Sequence, residues 1–161
     1  MSHRRVVVTG MGAVTPLGND LASTWEGVVN GRSGIGPVTH FDTTGFTTRI
    51  AGEIRDFDPT AFVPPKDAKK MEPFIHYGLA ASFMALDDSG LEITETNADR
   101  IGAIIGSGIG GILGIEEQTA KFLEGGARKI SPFYVPSTII NMVPGQLSII
   151  RGLKGPNFSA V

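Results

Sequence analysis

Apolar positions along this chain come in two patterns, and each predicts a different kind of element. Residues 5–9 are a β-branched run closed by Gly10-Met11-Gly12, and residues 101–105 are a second such run that passes into the glycine-dense stretch 106–111. Short apolar runs without alternation suit strands covered on both faces, as in a parallel sheet. Gly155-Pro156 launches a third run, residues 157–161. The expectation is three neighbouring parallel strands containing Val6–Val8, 101–105 and 158–161.

Elsewhere the apolar residues recur at helical spacing. A helix is predicted from Asp20 or Ser23, where Ser23-x-x-Glu26 can form a capping box, to Asn30-Gly31, with Leu21, Trp25 and Val28 facing inward. Residues 32–48 read as irregular and 49–54 as a short strand. Pro73–Ser89 is the strongest helix, with proline in its first turn and Gly90 placed to end it. Ile75, Leu79, Phe83 and Leu86 form one stripe and Gly78, Ala81 and Ala85 a second of small residues, so this helix is expected deep between layers. Residues 110–124 form another, with Ile112, Ile115, Thr119 and Leu123 on one face and Gly125-Gly126 as the stop. From Pro136 the residues Ile139, Val143, Leu147 and Ile150 continue the helical period, and Pro144 predicts a kink or restart at its own position. Strands separated by helices make βαβ units, so the class is α/β with a mainly parallel sheet and layered helices.

Composition narrows the chemistry. With 161 residues, 41% apolar and 19% charged, the chain can build one domain with a core. A net charge of −2 gives no basic field for nucleic acid. There is no cysteine, hence no disulfide, thiolate metal site or thiol nucleophile in the chain, and His3, His40 and His76 are too scattered for a metal motif. Residues 130–150 carry no charge, but Pro132, Pro136, Pro144, Asn141 and Gln146 argue against a membrane span and for burial in the core or at a subunit contact. Without an apolar signal segment after Arg4-Arg5, a cytoplasmic soluble protein with no membrane partner is expected.

Two features invite a functional reading. Gly106-x-Gly108-x-x-Gly111 fits the dinucleotide fingerprint, yet the acidic residue that would hold a ribose falls in Glu124–Lys129, a helix exit with no strand before it. The alternative is glycine needed only for tight helix-on-sheet packing. Lys66-Asp67-Ala68-Lys69-Lys70 is a short basic helical turn, either a solvated face or a dock for an acidic partner.

Taken together, eight phrases spread over the whole chain resemble the β-ketoacyl-acyl-carrier-protein synthases, and within that family the synthase II branch of fatty-acid elongation. They begin with Arg4-Arg5-Val-Val-Val-Thr-Gly-Met-Gly, Gly31-Arg-Ser-Gly-Ile, His40-Phe-Asp and Asp88-Ser-Gly-Leu. Gly106-Ser-Gly-Ile-Gly-Gly, Lys129-Ile-Ser-Pro-Phe, Pro136-Ser-Thr-Ile-Ile-Asn-Met and Gly152-Leu-Lys-Gly-Pro complete them. The resemblance implies a thiolase-like fold of two similar halves, of which residues 1–161 are an incomplete N-terminal domain, and a homodimer. It implies acyl transfer to a cysteine and decarboxylative condensation with malonyl-carrier protein, with no cofactor, since the phosphopantetheine arm belongs to the carrier. By register the cysteine falls about three residues past Val161, at a helix start that favours a thiolate, so none of the catalytic Cys-His-His set lies in this chain and the chain alone is expected to be inactive.

Position by position, the resemblance makes Ile109 the residue that gates the acyl pocket, with Gly108 giving it room. Tyr134 matches an aromatic that reaches across the dimer toward the partner's pocket, often Phe in relatives. Lys66, Lys69, Lys70, Arg128 and Lys129 match basic positions that dock the acidic acyl carrier protein. The alternatives are a non-catalytic ketosynthase-like subunit that shapes chain length and, less well supported, a dinucleotide-binding domain.

Overall fold

The computed structural model describes residues 3–161. In order the elements are α1 (Leu21–Val29), β1 (Ile35–Pro37), β2 (Ile50–Gly52), α2 (Pro65–Ala68), α3 (Pro73–Ser89), β3 (Ala103–Ile104), α4 (Ile112–Gly125), α5 (Tyr134–Thr138), α6 (Met142–Arg151) and β4 (Asn157–Phe158). They form two compact units, one of residues up to 58 with 80–90, the other of residues 59–79 with 91–161.

In the first unit α1 starts at Asp20, whose carboxylate accepts from the Ser23 amide at 2.7 Å. Ser23 is therefore inside the helix, and its hydroxyl is 2.7 Å from the same Asp20 oxygen. The expected inner face does not form: Trp25 is 64% and Val28 52% exposed, and only Gly27 is buried. β1 and β2 pair antiparallel, Ile35 opposite Gly52 and Pro37 opposite Ile50. β2 lies within the expected strand. β1 instead falls in the stretch expected to be irregular, because Gly36 and Pro37 are poor strand residues, tolerable here on a two-stranded edge.

Residues 5–9 are not a strand. No ladder pairs with them among the described residues, and Val6, Val7 and Val8 are 90%, 66% and 81% exposed. A β-branched run becomes a strand only when a neighbour takes its amides and carbonyls, and none does among the described residues. The Gly10-Met11-Gly12 loop, by contrast, is well seated. A Cβ on Gly10 would collide with the Ala85 carbonyl oxygen and one on Gly12 with that of Ala81, so this loop lies directly on the small-residue stripe of α3. The Met11 amide donates to Asp88 Oδ2 at 2.9 Å.

In the second unit Ile75 and Leu79 of α3 and Val143 of α6 are fully buried. Burying such side chains is worth roughly 1.5–3 kcal/mol each. Gly78 lets the two helices meet, since a Cβ there would strike Val143. β3 and β4 pair in parallel, as expected, with Ala103 opposite Asn157 and Ile104 opposite Phe158. Ladder bonds continue past both strands, from the Ile105 amide to Phe158 O at 3.2 Å and from Ser107 to Ala160 O at 3.0 Å. The pair is not covered on both faces, for Ile104 is 73% and Phe158 60% exposed.

α4 has the expected extent, but the face predicted to be apolar and buried is open. Ile112, Ile115 and Leu123 are 53%, 40% and 78% exposed, and only Gly114 is buried within the helix. The uncharged stretch 130–150 is buried in part: Thr138, Val143, Pro144 and Leu147 are inside, whereas Val135 and Ile149 are 56% and 74% exposed.

The helix expected from Pro136 divides into α5 and α6, and the break falls at residues 139–141, not at Pro144. Restarting at Met142 puts Pro144 at the third helical position, where an amide has no intrahelical partner to lose. α6 ends at Gly152, left-handed at φ 74°.

Glu53 is a heavily bonded carboxylate of the first unit. Its two oxygens accept from the Thr39 amide at 2.9 and 3.1 Å and from the Thr39 hydroxyl at 2.8 Å, and the His40 amide lies at 3.3 Å. The Thr39 amide above all holds its carboxyl below the usual range, against the opposing effect of burial. A depressed folded value means the stabilisation is present above the ordinary carboxylate pKa and is lost as pH falls through the folded one. Glu53→Gln should therefore speed hydrogen exchange of the Thr39 and His40 amides at neutral pH. Wild-type protection should fall on acidification toward that of the variant, which should show no such transition; equal protection at pH 7 would refute this.

Candidate functional site

Ligands of parallel α/β sheets bind beyond the carboxyl ends of the strands, and here those ends lie side by side. Ser107 donates to Ala160 at the last rung of the ladder, so the turn carrying Gly108 and Ile109 leaves the sheet beside residues 160 and 161. Within that turn the Gly110 amide donates to Ser107 Oγ at 3.1 Å, and the Gly111 amide donates to Thr138 O at 2.9 Å. Gly110 has φ 80°, a left-handed conformation that favours glycine. Ile109 is 64% exposed at the tip. A Cβ on Gly108 would meet no atom within 4 Å, so nothing among the described residues crowds that position.

Next to α4 lies a cavity of about 260 Å³ where Lys69, Lys70 and Lys121 face Glu72 and Glu117, with Tyr134 in its wall. A second cavity, about 270 Å³, is lined by Gln118, Thr119, Phe122, Ile130 and Tyr134. Tyr134 and Gln118 line both. Gln118 closes the loop before α5 by accepting from the Ser131 amide at 2.7 Å. Neither Gly108 nor Ile109 lines either of these two cavities.

The basic positions divide in the same way. Lys69 and Lys70 border the first cavity; Arg128 and Lys129 lie in the turn after α4 and do not. Lys66, Lys69, Arg128 and Lys129 are exposed. Lys70 is half-buried, 2.8 Å from Asp67 Oδ1, with its ammonium 5.7 Å from the centre of the Phe133 ring. That hydrogen bond and charge hold the Asp67 carboxyl below its usual range. Two of the scattered histidines have polar neighbours of their own: His76 Nε2 lies 2.9 Å from Ala68 O and His40 lies beside Glu53.

No local pattern singles out Glu72, yet it decides how the glycine turn is read. Its side chain lies across the first turn of α4, where a bound phosphate would need the helix amides. A Cβ on Gly114 would sit 2.5 Å from Glu72 Oε1. Burial first, and then the charge of Glu117, push this carboxyl above its ordinary range, while a hydrogen bond from the Gly114 amide pulls the other way. With an internal carboxylate at the helix start, the fingerprint glycines serve packing and not a pyrophosphate.

Comparison with known proteins gives the family. Residues 3–161 match the family model described as the β-ketoacyl synthase N-terminal domain. The chain is 58% identical over 159 residues to 3-oxoacyl-[acyl-carrier-protein] synthase 2 of Vibrio harveyi, a match that covers 99% of this chain and 38% of that one. It is 49% identical over 161 residues to the synthase 2 of Coxiella burnetii, covering 100% of this chain and 39% of the relative. Among solved structures, the ishigamide ketosynthase/chain length factor superposes with a TM-score of 0.76 at 31% identity, over 99% of this chain and 40% of that one. A type II polyketide ketosynthase, solved with its acyl-carrier protein and bound to the hexaketide, gives 0.75 at 26% identity, over 98% and 41%. The fold is thus the thiolase-like α/β fold of ketosynthases in partial, N-terminal form. The chain spans about 38% of the length of the curated relatives it matches. It belongs to the β-ketoacyl synthase family, whose N-terminal domain it matches from residue 3 to residue 161.

Proposed function

We propose that this chain is the N-terminal domain of a fatty-acid-elongation condensing enzyme, a β-ketoacyl-acyl-carrier-protein synthase II. The observation that carries the reading is the parallel ladder that delivers Ile109 and residues 160–161 to one edge of the sheet. In the complete enzyme a cysteine following Val161 takes the acyl group from the carrier as a thioester, and carbon dioxide leaves the malonyl unit to give the carbanion that attacks it. Covalent catalysis of this kind needs a thiol, and none is present in these 161 residues. The domain supplies the acyl gate, part of the pocket and the carrier dock.

Two further parts of the reading rest on the surface. Lys66, Lys69, Lys70, Arg128 and Lys129 dock an acidic acyl carrier protein; a solved relative was captured with its carrier. A homodimer covers apolar side chains around Tyr134, where Phe133 is 47% and Val135 56% exposed. No helix among the described residues is long and apolar enough to cross a membrane, and we place the enzyme in the cytoplasm. A second reading, a chain-length subunit without the cysteine, is favoured by the likeness to a ketosynthase/chain length factor. The residue about three positions past Val161 separates the two, since only a thiol there can act as the nucleophile.

Reversing the charge of the five basic residues in the full-length protein should raise the KM for acyl-carrier protein several-fold and flatten its salt dependence. Turnover of a small thioester should be nearly unchanged; equal loss on both substrates would make the patch structural. Ile109→Phe should slow long acyl primers far more than short ones, at a packing cost of roughly 1–3 kcal/mol if the site cannot relax. A loss independent of length would count against the gate.

A further inference from the structure

Gly111 is the N-cap of α4 and offers no side chain to its unpaired amides. Glu72, from the turn that precedes α3, occupies the place. A Cβ on Gly111 would lie 2.7 Å from Glu72 Cγ, and one on Gly114 would lie 2.5 Å from Oε1 and 2.9 Å from Cδ. Both glycines are buried. The carboxylate thus serves as a cap from a distant part of the chain, and its charge opposes the partial positive charge of the helix start. The same two glycines also meet α5, where a Cβ on Gly111 would come within 2.9 Å of Thr138 Cα and one on Gly114 within 3.0 Å of Thr138 Cγ2. The start of α4 is seated against both Glu72 and Thr138, and Ile109 stands two residues before its cap.

We propose that Glu72 is a positioning residue for the acyl gate: seated across Gly111 and Gly114, it sets the first turn of α4 and through it the turn that presents Ile109. This rests on the reading of Ile109 as the gate. The charged and titratable groups around the carboxylate are Lys69 and Lys70 before it, Glu117 and Lys121 of α4, and Tyr134 of α5. Lys121 lies 3.9 Å from Glu117 and Lys70 2.8 Å from Asp67, so both lysines have acidic partners other than Glu72. Glu72 is then held mainly by the shape of the glycine seat and the Gly114 amide.

The test uses a full-length chain carrying this domain and acyl thioesters of pantetheine, so that carrier docking does not enter. Glu72→Ala should shift the ratio of kcat/KM for a long over a short primer by about tenfold, short of the roughly 10²-fold that a 1 Å misplacement of a reacting group can cost. Glu72→Gln keeps the shape and an acceptor oxygen and should stay within about twofold of wild type. Gly114→Ala should reproduce the Glu72→Ala shift by displacing the carboxylate. In the Glu72→Ala background it should add less, because the two nearest atoms it strikes, Glu72 Oε1 and Cδ, are gone and only Thr138 Cγ2 at 3.0 Å remains. One common factor of loss across all primer lengths would overturn the proposal, as would a Gly114→Ala effect of equal size in both backgrounds. If Ile109→Phe changes length preference and Glu72→Ala does not, Glu72 loses its role while the gate stands; if Ile109→Phe changes nothing with length, the gate reading falls and the proposal with it.

Discussion

The ladder between residues 103–107 and 156–160 is the constraint on which the second unit depends. Its bonds run from Ala103 to Pro156 O at 2.9 Å, from Ile105 to Phe158 O and from Ser107 to Ala160 O. Net, each such bond is worth only about 0.5–1.5 kcal/mol, and a two-stranded pair is marginal by itself. Its persistence is a matter of what grips it. Gly102 and Gly155 let the segments cross closely at the start, for a Cβ on Gly155 would lie 2.7 Å from the Ile101 carbonyl. Asn157 Nδ2 donates to Pro144 O at 2.8 Å and to Ser148 Oγ at 2.7 Å, which ties β4 to α6. Ser159 Oγ donates to Ile105 O at 2.7 Å, which ties the far end of β4 back to β3.

That grip explains the burial of α6. Val143 and Leu147 are 2% and 6% exposed, and Pro144 between them is fully enclosed. A proline at this depth has no amide to leave unsatisfied, and its carbonyl already serves Asn157. The restart at Met142 is therefore the arrangement in which Pro144 can be both buried and helical. The same restart frees residues 139–141 to turn the chain, leaving Ile140 O near Ser159 Oγ at 3.3 Å.

The sequence disclosed most where the signal is local. Pro73 and Gly90 bound α3 at the residues expected, Gly90 at φ 62°, because proline at a first turn and glycine past a last one act through their own backbone. It disclosed least where a partner is required. Residues 5–9, the Trp25 side of α1 and the outer face of α4 have the composition of buried surface, but periodicity says only that a face is apolar, not what covers it. The basic positions pose the same difficulty in another form: exposed cations are stable without a protein partner, so a docking role leaves no contact in a single chain.

The glycine turn shows both limits at once. Four glycines between residues 106 and 111 fit a pyrophosphate loop and a close-packed helix start equally well, because both need a backbone without side chains. What distinguishes them is the occupant, and the occupant here is Glu72, which no window around the turn contains. An anion already sits where a phosphate would have to bind, in a setting that disfavours a second negative charge, since burial and Glu117 already resist the first. The turn is left with steric work: it brings α4 down onto Thr138 and Glu72, and it leaves one large apolar side chain, Ile109, at the carboxyl edge of the sheet.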